Sequence, residues 1–236
     1  MAWVEYSYDS GEALAIALAH TLGDTAEAAL DMRGHAAFAV AGGRTPLPAY
    51  RALAARWRHD VRARHIVLLP TDDRCVPHDH PNSNVGELRS IFDGSPVRIE
   101  SLTTADGDPD RSVRYARAVL ADHRDDFDAV VLGMGADAHI ASLFPNARQL
   151  ADGLGPTSTL EALRVDPDPL PVEAPFPRMS LTLARLLRAR ALHVVVTGDA
   201  KRAVLQAAYA DADASTRPVA ALLHAPERTV HVHWSP

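Results

Sequence analysis

The chain has little of what would place it outside the cell or in a membrane. Its 236 residues include one cysteine, Cys75, which excludes a disulfide within the chain and a four-cysteine zinc site. No apolar run approaches the roughly 20 residues that a membrane span needs. The N-terminus lacks a basic segment followed by an apolar one, the pattern of a signal peptide. These absences predict a cytoplasmic protein without a membrane partner.

The chain also has no excess of positive charge. Its formal net charge at pH 7 is −6, and no basic recognition helix appears, so a nucleic-acid partner is not expected. An anionic ligand would have to be held by a local basic site. Hydrophobic residues make up 47% of the sequence, which is ordinary for a folded protein with a packed core.

Short apolar runs alternate with helical patterns along the chain. The runs predict strands over 36–40, 66–69, 97–102, 129–132, 192–196 and 230–234, and the patterns between them predict helices over 10–31, 46–58, 83–92, 110–124 and 200–209. Gly34 is the expected stop of the first helix, and Thr45 the expected cap of the second. This alternation indicates an α/β protein with a doubly wound, mostly parallel, Rossmann-like sheet covered by helices on both faces.

Proline is concentrated between Asp166 and Pro177. Such a stretch is typical of a linker between two domains or of a stiff loop within one. Because the same α/β pattern continues on either side, we favour the loop and predict one domain over residues 1–236.

Two loops that follow predicted strands carry residues suited to an anion. Gly42-Gly43-Arg44-Thr45 combines free backbone N–H groups with a cation at the start of a helix, although a plain tight turn explains it equally well. The segment from Thr71 to Asn84 contains Arg74, which can bind a phosphate in a bidentate manner. No metal site is predicted from His78-Asp79-His80, since adjacent side chains point apart and a third ligand is lacking.

The segment from Gly133 to Pro145 again follows a buried strand. His139 is the best candidate for a general base, because the usual pKa of histidine lies near neutrality. A nearby helix N-terminus would keep its imidazole neutral, and Asp137 could orient the ring. Equally, His139 could be a turn residue and Asp137 a helix cap. Further on, Arg178 and Lys201 offer more positive charge, although either alone would be an ordinary surface residue.

Together these segments resemble the 6-phosphogluconolactonase family, which also includes glucosamine-6-phosphate isomerases. The resemblance covers most of the chain in matching order. It is carried by Asp72 to Pro77 with Asn82-Ser83-Asn84, by Gly133-Met134-Gly135 through Ser142-Leu143-Phe144-Pro145, by Pro177 to Thr182, and by Gly198 to Arg202.

The resemblance implies a three-layer α/β/α fold and an enzyme without a cofactor that hydrolyses a sugar-phosphate lactone, 6-phospho-D-glucono-1,5-lactone, in the pentose phosphate pathway. His139, helped by Asp137, would activate the attacking water. The implied substrate-binding residues are Gly43, Arg44, Thr45, Asp72, Arg74, Asn84, Arg178 and Lys201. The chain departs from the family pattern at Ala138, where glycine is usual, at Asp73, where glutamate is common, and at Arg44, where serine is frequent.

Two other functions are compatible with the same motifs. A glucosamine-6-phosphate deaminase or isomerase would need a carboxylate soon after the histidine, and Ile140 to Pro145 supplies none. A non-catalytic sugar-phosphate sensor would use the same cations without turnover, and Ala138 would then mark the lost activity. For the oligomeric state we expect a monomer or a weak homodimer.

Overall fold

A computed structural model describes residues 2–172 and 174–236. Its ten strands form two sheets. The strands are β1 (Ala2–Ser7), β2 (Ala36–Val40), β3 (Ile66–Pro70), β4 (Asp72–Arg74), β5 (Arg98–Ile99), β6 (Ala129–Gly133), β7 (Ala162–Val165), β8 (Arg178–Leu181), β9 (Leu192–Thr197) and β10 (Thr229–Ser235). The larger sheet has the order β1-β10-β9-β6-β2-β3-β5, and all of its pairings are parallel.

Helices cover both faces of this parallel sheet. They are α1 (Gly11–Arg33), α2 (Leu47–Trp57), α3 (Asn84–Ile91), α4 (Pro109–Asp122), α5 (Leu150–Leu154), α6 (Leu183–Leu186), α7 (Asp199–Asp211) and α8 (Val219–Leu223), with a 3₁₀ helix at Val61–His65. One buried cluster joins the sheet to α1, α2 and α3. A second cluster joins it to α4, α7 and α8. The predicted three-layer, doubly wound α/β fold is confirmed.

Strand residues alternate between the two clusters, because successive side chains of a strand point to opposite faces. Phe38 and Val40 pack toward α1 and α2, whereas Ala39 between them packs on the other side. A strand buried on both faces has no polar side, so it appears in the sequence as a short continuous apolar run. This is why the central strands could be predicted.

Of the two predicted helix ends, Gly34 and Thr45, one is confirmed and one is wrong. Gly34 ends α1 with φ +76°, the left-handed conformation that favours glycine. Ser83 caps α3, because its hydroxyl accepts the Gly86 N–H at 3.1 Å. Thr45 does not cap α2: the residue at the cap is Pro46, in a helical conformation and without a side-chain hydrogen bond. Thr45 lies in the preceding turn, with its hydroxyl 3.4 Å from that of Thr197.

The smaller sheet was not predicted. It is antiparallel, has the order β4-β8-β7, and begins directly after β3. The proline-rich segment joins β7 to β8, two paired strands of this sheet; Glu173 within it lies outside the described residues. Because β4 follows β3 at once, the small sheet stands over the carboxyl edge of the large one.

The order of the large sheet creates a crevice at this edge. From β2 the chain continues to β3 on one side, whereas β6 lies on the other side of β2 and continues toward β9. The loops after β2 and β6 therefore diverge to opposite faces. A reversal of this kind is where open α/β sheets bind their ligands.

Candidate active site

A cavity of about 220 Å³ occupies this crevice. Loops that follow β2, β3, β6 and β9 contribute to its wall, together with β8. The structure brings His139 and all of the predicted substrate-binding residues to this one cavity: Gly43, Arg44, Thr45, Asp72, Arg74, Asn84, Arg178 and Lys201 line it. The predicted partner of His139, Asp137, is not among the lining residues.

Asp137 instead forms a hydrogen bond with the imidazole ring of His139, the candidate base. Its Oδ1 lies 2.5 Å from His139 Nδ1 and 3.3 Å from the His139 backbone nitrogen. Burial opposes ionisation of Asp137, but the hydrogen bond and the attraction of His139 outweigh it, so the pKa of this carboxyl lies below its usual value. An ionised carboxylate accepts and does not donate, so Nδ1 carries the hydrogen. In the neutral ring Nε2 is then free to accept a proton.

The loop around His139 is a tight reversal and not the start of a helix. The Gly135 N–H donates to the His139 carbonyl at 3.0 Å, and the next helix, α5, begins only at Leu150. The favourable helix N-terminus considered from the sequence is therefore absent from this part of the described chain. What holds His139 is the loop itself and Asp137.

Ala138 adopts the conformation that glycine would favour. Its φ is +65°, which costs about 1–2 kcal/mol for a residue with a Cβ. The methyl group is buried in a hydrophobic cluster, and the carbonyl accepts the Val219 N–H at 3.0 Å. These contacts offset part of the strain, so alanine in place of the usual glycine leaves the loop formed and His139 on Asp137.

Gly135 was not predicted as a site residue from the sequence, although the contact between His139 and Asp137 depends on it. A Cβ at this position would overlap the His139 ring and the Asp137 carboxylate. The His139 imidazole can lie here only because residue 135 has no side chain.

We therefore expect Gly135→Ala to displace His139 from Asp137. For the lactone hydrolysis that the resemblance implies, kcat should then fall by about 10- to 10²-fold, since a small misplacement of a reacting group slows a reaction strongly. Steady-state kinetics with purified protein would measure this. Gly155→Ala is the matched control, because a Cβ there meets only ordinary contacts, the shortest of them 3.6 Å. Equal kinetics for both variants would contradict the role of Gly135.

The small sheet contributes two arginines in register to the cavity wall. Arg74 on β4 lies directly across from Arg178 on β8, so their side chains share one face of the small sheet. Arg178 is 4% exposed. Within residues 2–172 and 174–236, neither arginine forms an ion pair and neither Nε has a hydrogen-bond partner. Like charges placed opposite one another repel, so this wall favours a bound anion.

Burial is the main reason why the pKa of Arg178 is lowered, and the Arg74 charge adds to it, against the attraction of Asp72 and Asp137. The guanidinium donates to the Ala174 carbonyl at 3.1 Å and lies 4.7 Å above the ring of Phe144. It is thus a desolvated cation with most of its donors left for a ligand.

A buried network fixes Arg74 and Asn84, and its centre, Asp73, was missed from the sequence. The Asp73 carboxylate accepts the backbone N–H groups of Arg74, Asn84 and Val85 at 2.8, 2.7 and 3.1 Å. Burial raises the pKa of Asp73 to about 6, against the opposing effect of these donors. The Asn84 amide donates to the Asp72 carbonyl at 2.7 Å and accepts from Arg74. Asn84 therefore positions Arg74 as well as lining the cavity.

Asp72 brings a negative charge to the same cavity. Its carboxylate accepts hydrogen bonds from the hydroxyls of Ser142, at 2.5 Å, and Thr71, at 3.2 Å. Ser142 was not predicted, and its motif carries no local signal for this contact. With its position fixed by two hydroxyls, Asp72 is suited to accept hydrogen bonds from a polyhydroxylated ligand.

The remaining predicted residues form the rim of the cavity. Gly43 turns the first loop with φ +90°, and Arg44 next to it is exposed. Lys201 lies in the first turn of α7, after β9. In the described part of the chain neither Arg44 nor Lys201 forms an ion pair, so both cations are free to meet an anion at the mouth.

The described residues contain no group of three or more metal-ligating side chains arranged around a common point. At His78 both ring nitrogens contact protein groups, Nδ1 with Arg89 and Nε2 with Thr103 and Ser101. Nor does any helix within residues 2–172 and 174–236 combine the length and apolarity to cross a membrane.

Comparison with known proteins identifies the class of protein to which this fold and site belong. The family model described as glucosamine-6-phosphate isomerases/6-phosphogluconolactonase matches residues 9–234. The chain belongs to this family.

Particular members are similar over nearly their whole length. A 6-phosphogluconolactonase of Mesorhizobium japonicum is 34% identical, over 94% of this chain and 91% of the relative. One of Caulobacter vibrioides is also 34% identical, over 97% and 96%. The crystal structure of a 6-phosphogluconolactonase from Shewanella baltica superposes with a TM-score of 0.89 at 28% identity, covering 99% of this chain and 97% of that one. The family and the enzyme class predicted from the motifs are confirmed.

Proposed function

We propose that the protein hydrolyses 6-phospho-D-glucono-1,5-lactone to 6-phosphogluconate, as a step of the pentose phosphate pathway. The observation that carries the proposal is the pairing of two features in one cavity. His139 is oriented by Asp137 with Nε2 free to accept a proton, and the same cavity is lined by two arginines placed side by side, of which Arg178 is buried and Arg74 partly buried. A lactone with a remote phosphate requires both a base and an anion site.

In the proposed mechanism His139 Nε2 removes a proton from a water molecule as the water attacks the lactone carbonyl. The carbonyl oxygen becomes an oxyanion, which collapses with cleavage of the ring C–O bond. The proton then passes from the imidazolium to the departing ring oxygen, which becomes a hydroxyl group. Asp137 stabilises the transient imidazolium. No cofactor takes part.

Binding of the phosphate supplies the orientation that this reaction needs. Arg74, Arg178 and Lys201, with the loop from Gly43 to Thr45, would hold the 6-phosphate and so fix the carbonyl against the water. A fixed geometry removes much of the entropic barrier between water and carbonyl. Cations close to the base also favour the negative charge that develops on the carbonyl oxygen.

Lactone hydrolysis by the purified protein tests the proposal. The lactone is generated in place and hydrolysis is followed by proton release, above the spontaneous rate. We expect rapid catalysed hydrolysis and no release of ammonia from glucosamine 6-phosphate. Ammonia release would instead support the deaminase, which the absence of a carboxylate between Ile140 and Pro145 disfavours. Thermal stabilisation by 6-phosphogluconate without turnover would support the sensor.

Three further properties stay predictions. We propose that residues 1–236 form one domain, that the protein acts in the cytoplasm, and that it is a monomer or a weak homodimer with a sugar-phosphate lactone as its partner. Sedimentation of the purified protein at several concentrations would measure the oligomeric state.

A further inference from the structure

Phe144 is a buried aromatic residue that contacts both the candidate base, His139, and a cation of the candidate site, Arg178. Its ring centroid lies 4.1 Å from that of the His139 imidazole, with 33° between the planes. The Arg178 guanidinium carbon lies 4.7 Å from the same ring centroid. The Phe144 side chain thus contacts the candidate base and the most buried cation of the site.

The ring itself has little freedom to move. Phe144 is 7% exposed and belongs to a small buried cluster with Leu143, Leu150 and Leu163. Close-packed side chains of such a cluster stay in one rotamer on average. A ring held in this way can serve as a reference surface for groups that pack on it.

His139 requires such a surface. Its side chain is 25% exposed, and the hydrogen bond to Asp137 holds only the Nδ1 end of the imidazole. One hydrogen bond leaves the ring free to turn about the line that joins the two atoms. Contact with a flat aromatic face restricts this rotation, and with it the direction of the Nε2 lone pair.

Arg178 requires it for a similar reason. Within the described residues its guanidinium forms one hydrogen bond, to the Ala174 carbonyl, and its Nε has no partner there. The face of an aromatic ring attracts a guanidinium through its quadrupole and supports its plane. The ring therefore fixes the cation without using the donors that a bound anion needs.

We infer that Phe144 is a positioning residue that sets the placement of His139 relative to Arg178. This inference rests on the proposed function. Through His139 the ring acts on kcat, and through Arg178 it acts on anion binding. A residue that merely fills the core would affect the stability of the fold, but it would have no selective effect on kcat or on anion binding.

The test compares Phe144→Leu with Leu150→Ala. Both remove apolar volume from the same buried cluster, but the aromatic ring that packs on His139 and Arg178 is that of Phe144. We expect both variants to have a lower thermal midpoint. We expect only Phe144→Leu to lower kcat, by about 10-fold, and to raise the inhibition constant of inorganic phosphate. Phe144→Tyr, which keeps the aromatic face, should recover most of both losses.

A double variant separates positioning from general damage. In the His139→Ala background the kcat loss caused by Phe144→Leu should disappear, because the group that the ring orients is no longer there. Persistence of the full loss in that background, or an unchanged kcat in Phe144→Leu alone, would overturn the inference.

Failure of the proposed function itself would be seen separately. A parent protein that hydrolyses no lactone removes that function, whereas the position of His139 can be followed without turnover. Nuclear Overhauser effects between the His139 ring protons and the Gly135 α-protons report the position of the ring, since Gly135 lies against it. We expect these effects to change in Phe144→Leu and to keep the parent strength in Leu150→Ala. Unchanged effects in Phe144→Leu would contradict the inference.

Discussion

Replacement of His139 by glutamine is expected to lower kcat for lactone hydrolysis by about 10²- to 10⁴-fold, the usual contribution of a general base. Glutamine keeps much of the size and hydrogen-bonding capacity of the side chain but cannot take up a proton near neutral pH. Because binding of the phosphate depends on other residues, we expect KM to change little. Initial rates of proton release, corrected for spontaneous hydrolysis, measure the effect.

The control for this variant is His20→Gln, which replaces an exposed histidine on α1, outside the cavity. It should retain the parent rate. The thermal midpoint of His139→Gln should also stay near that of the parent, since the His139 ring is partly exposed and no buried network depends on it. A folded His139→Gln protein with full activity would leave the family assignment intact and show that another group is the base.

The layered fold could be predicted because its central strands are buried on both faces. Ala36–Val40 and Leu192–Thr197 are short apolar segments, and the helices between them carry recognisable ends such as Gly34. From these elements the connection rules for parallel sheets place the ligand at the carboxyl edge. The edge strand Ala2–Ser7 escaped prediction, because it has a single neighbour, β10, and lacks the continuous apolar run of a strand that is buried on both faces.

The small sheet escaped prediction for a different reason. Asp72–Arg74 is a three-residue strand of charged side chains, and its partner, Arg178–Leu181, lies far along the chain. No local pattern reports such a pairing. The resemblance to a family put Arg74 and Arg178 in one site, but their direct opposition on neighbouring strands is visible only in the structure.

Contacts within the site show the same limit. Local sequence marked His139 and Asp137, and the structure joins them. The left-handed turn at Ala138 that joins them runs against the preference of alanine. Phe144 appears in the sequence as an ordinary apolar residue, and its contact with a histidine ring depends on how the whole loop folds. Residue types are therefore predictable here, whereas the geometry that makes them a site is not.

Replacement of Arg178 by methionine is expected to separate binding from stability. The buried guanidinium is suited to give charge-assisted hydrogen bonds to a bound anion, and loss of one partner of such a pair costs about 2–5 kcal/mol, or about 30-fold or more in affinity. We therefore expect kcat/KM to fall by at least this factor. The dissociation constant of 6-phosphogluconate, measured by calorimetry, should rise with it.

Stability should respond differently. Methionine fills a similar volume and has no charge to desolvate, and exchange of a buried charge for an apolar side chain is often neutral or stabilising. We expect the thermal midpoint of Arg178→Met to be no lower than that of the parent.

Arg98→Met is the control, because Arg98 is exposed and pairs with Glu100 outside the cavity. The kinetics of Arg98→Met should therefore match those of the parent. An Arg178→Met protein that binds 6-phosphogluconate as tightly as the parent would show that Arg178 does not hold the phosphate. Weaker binding of 6-phosphogluconate together with a lower thermal midpoint in Arg178→Met would show that this arginine supports the fold.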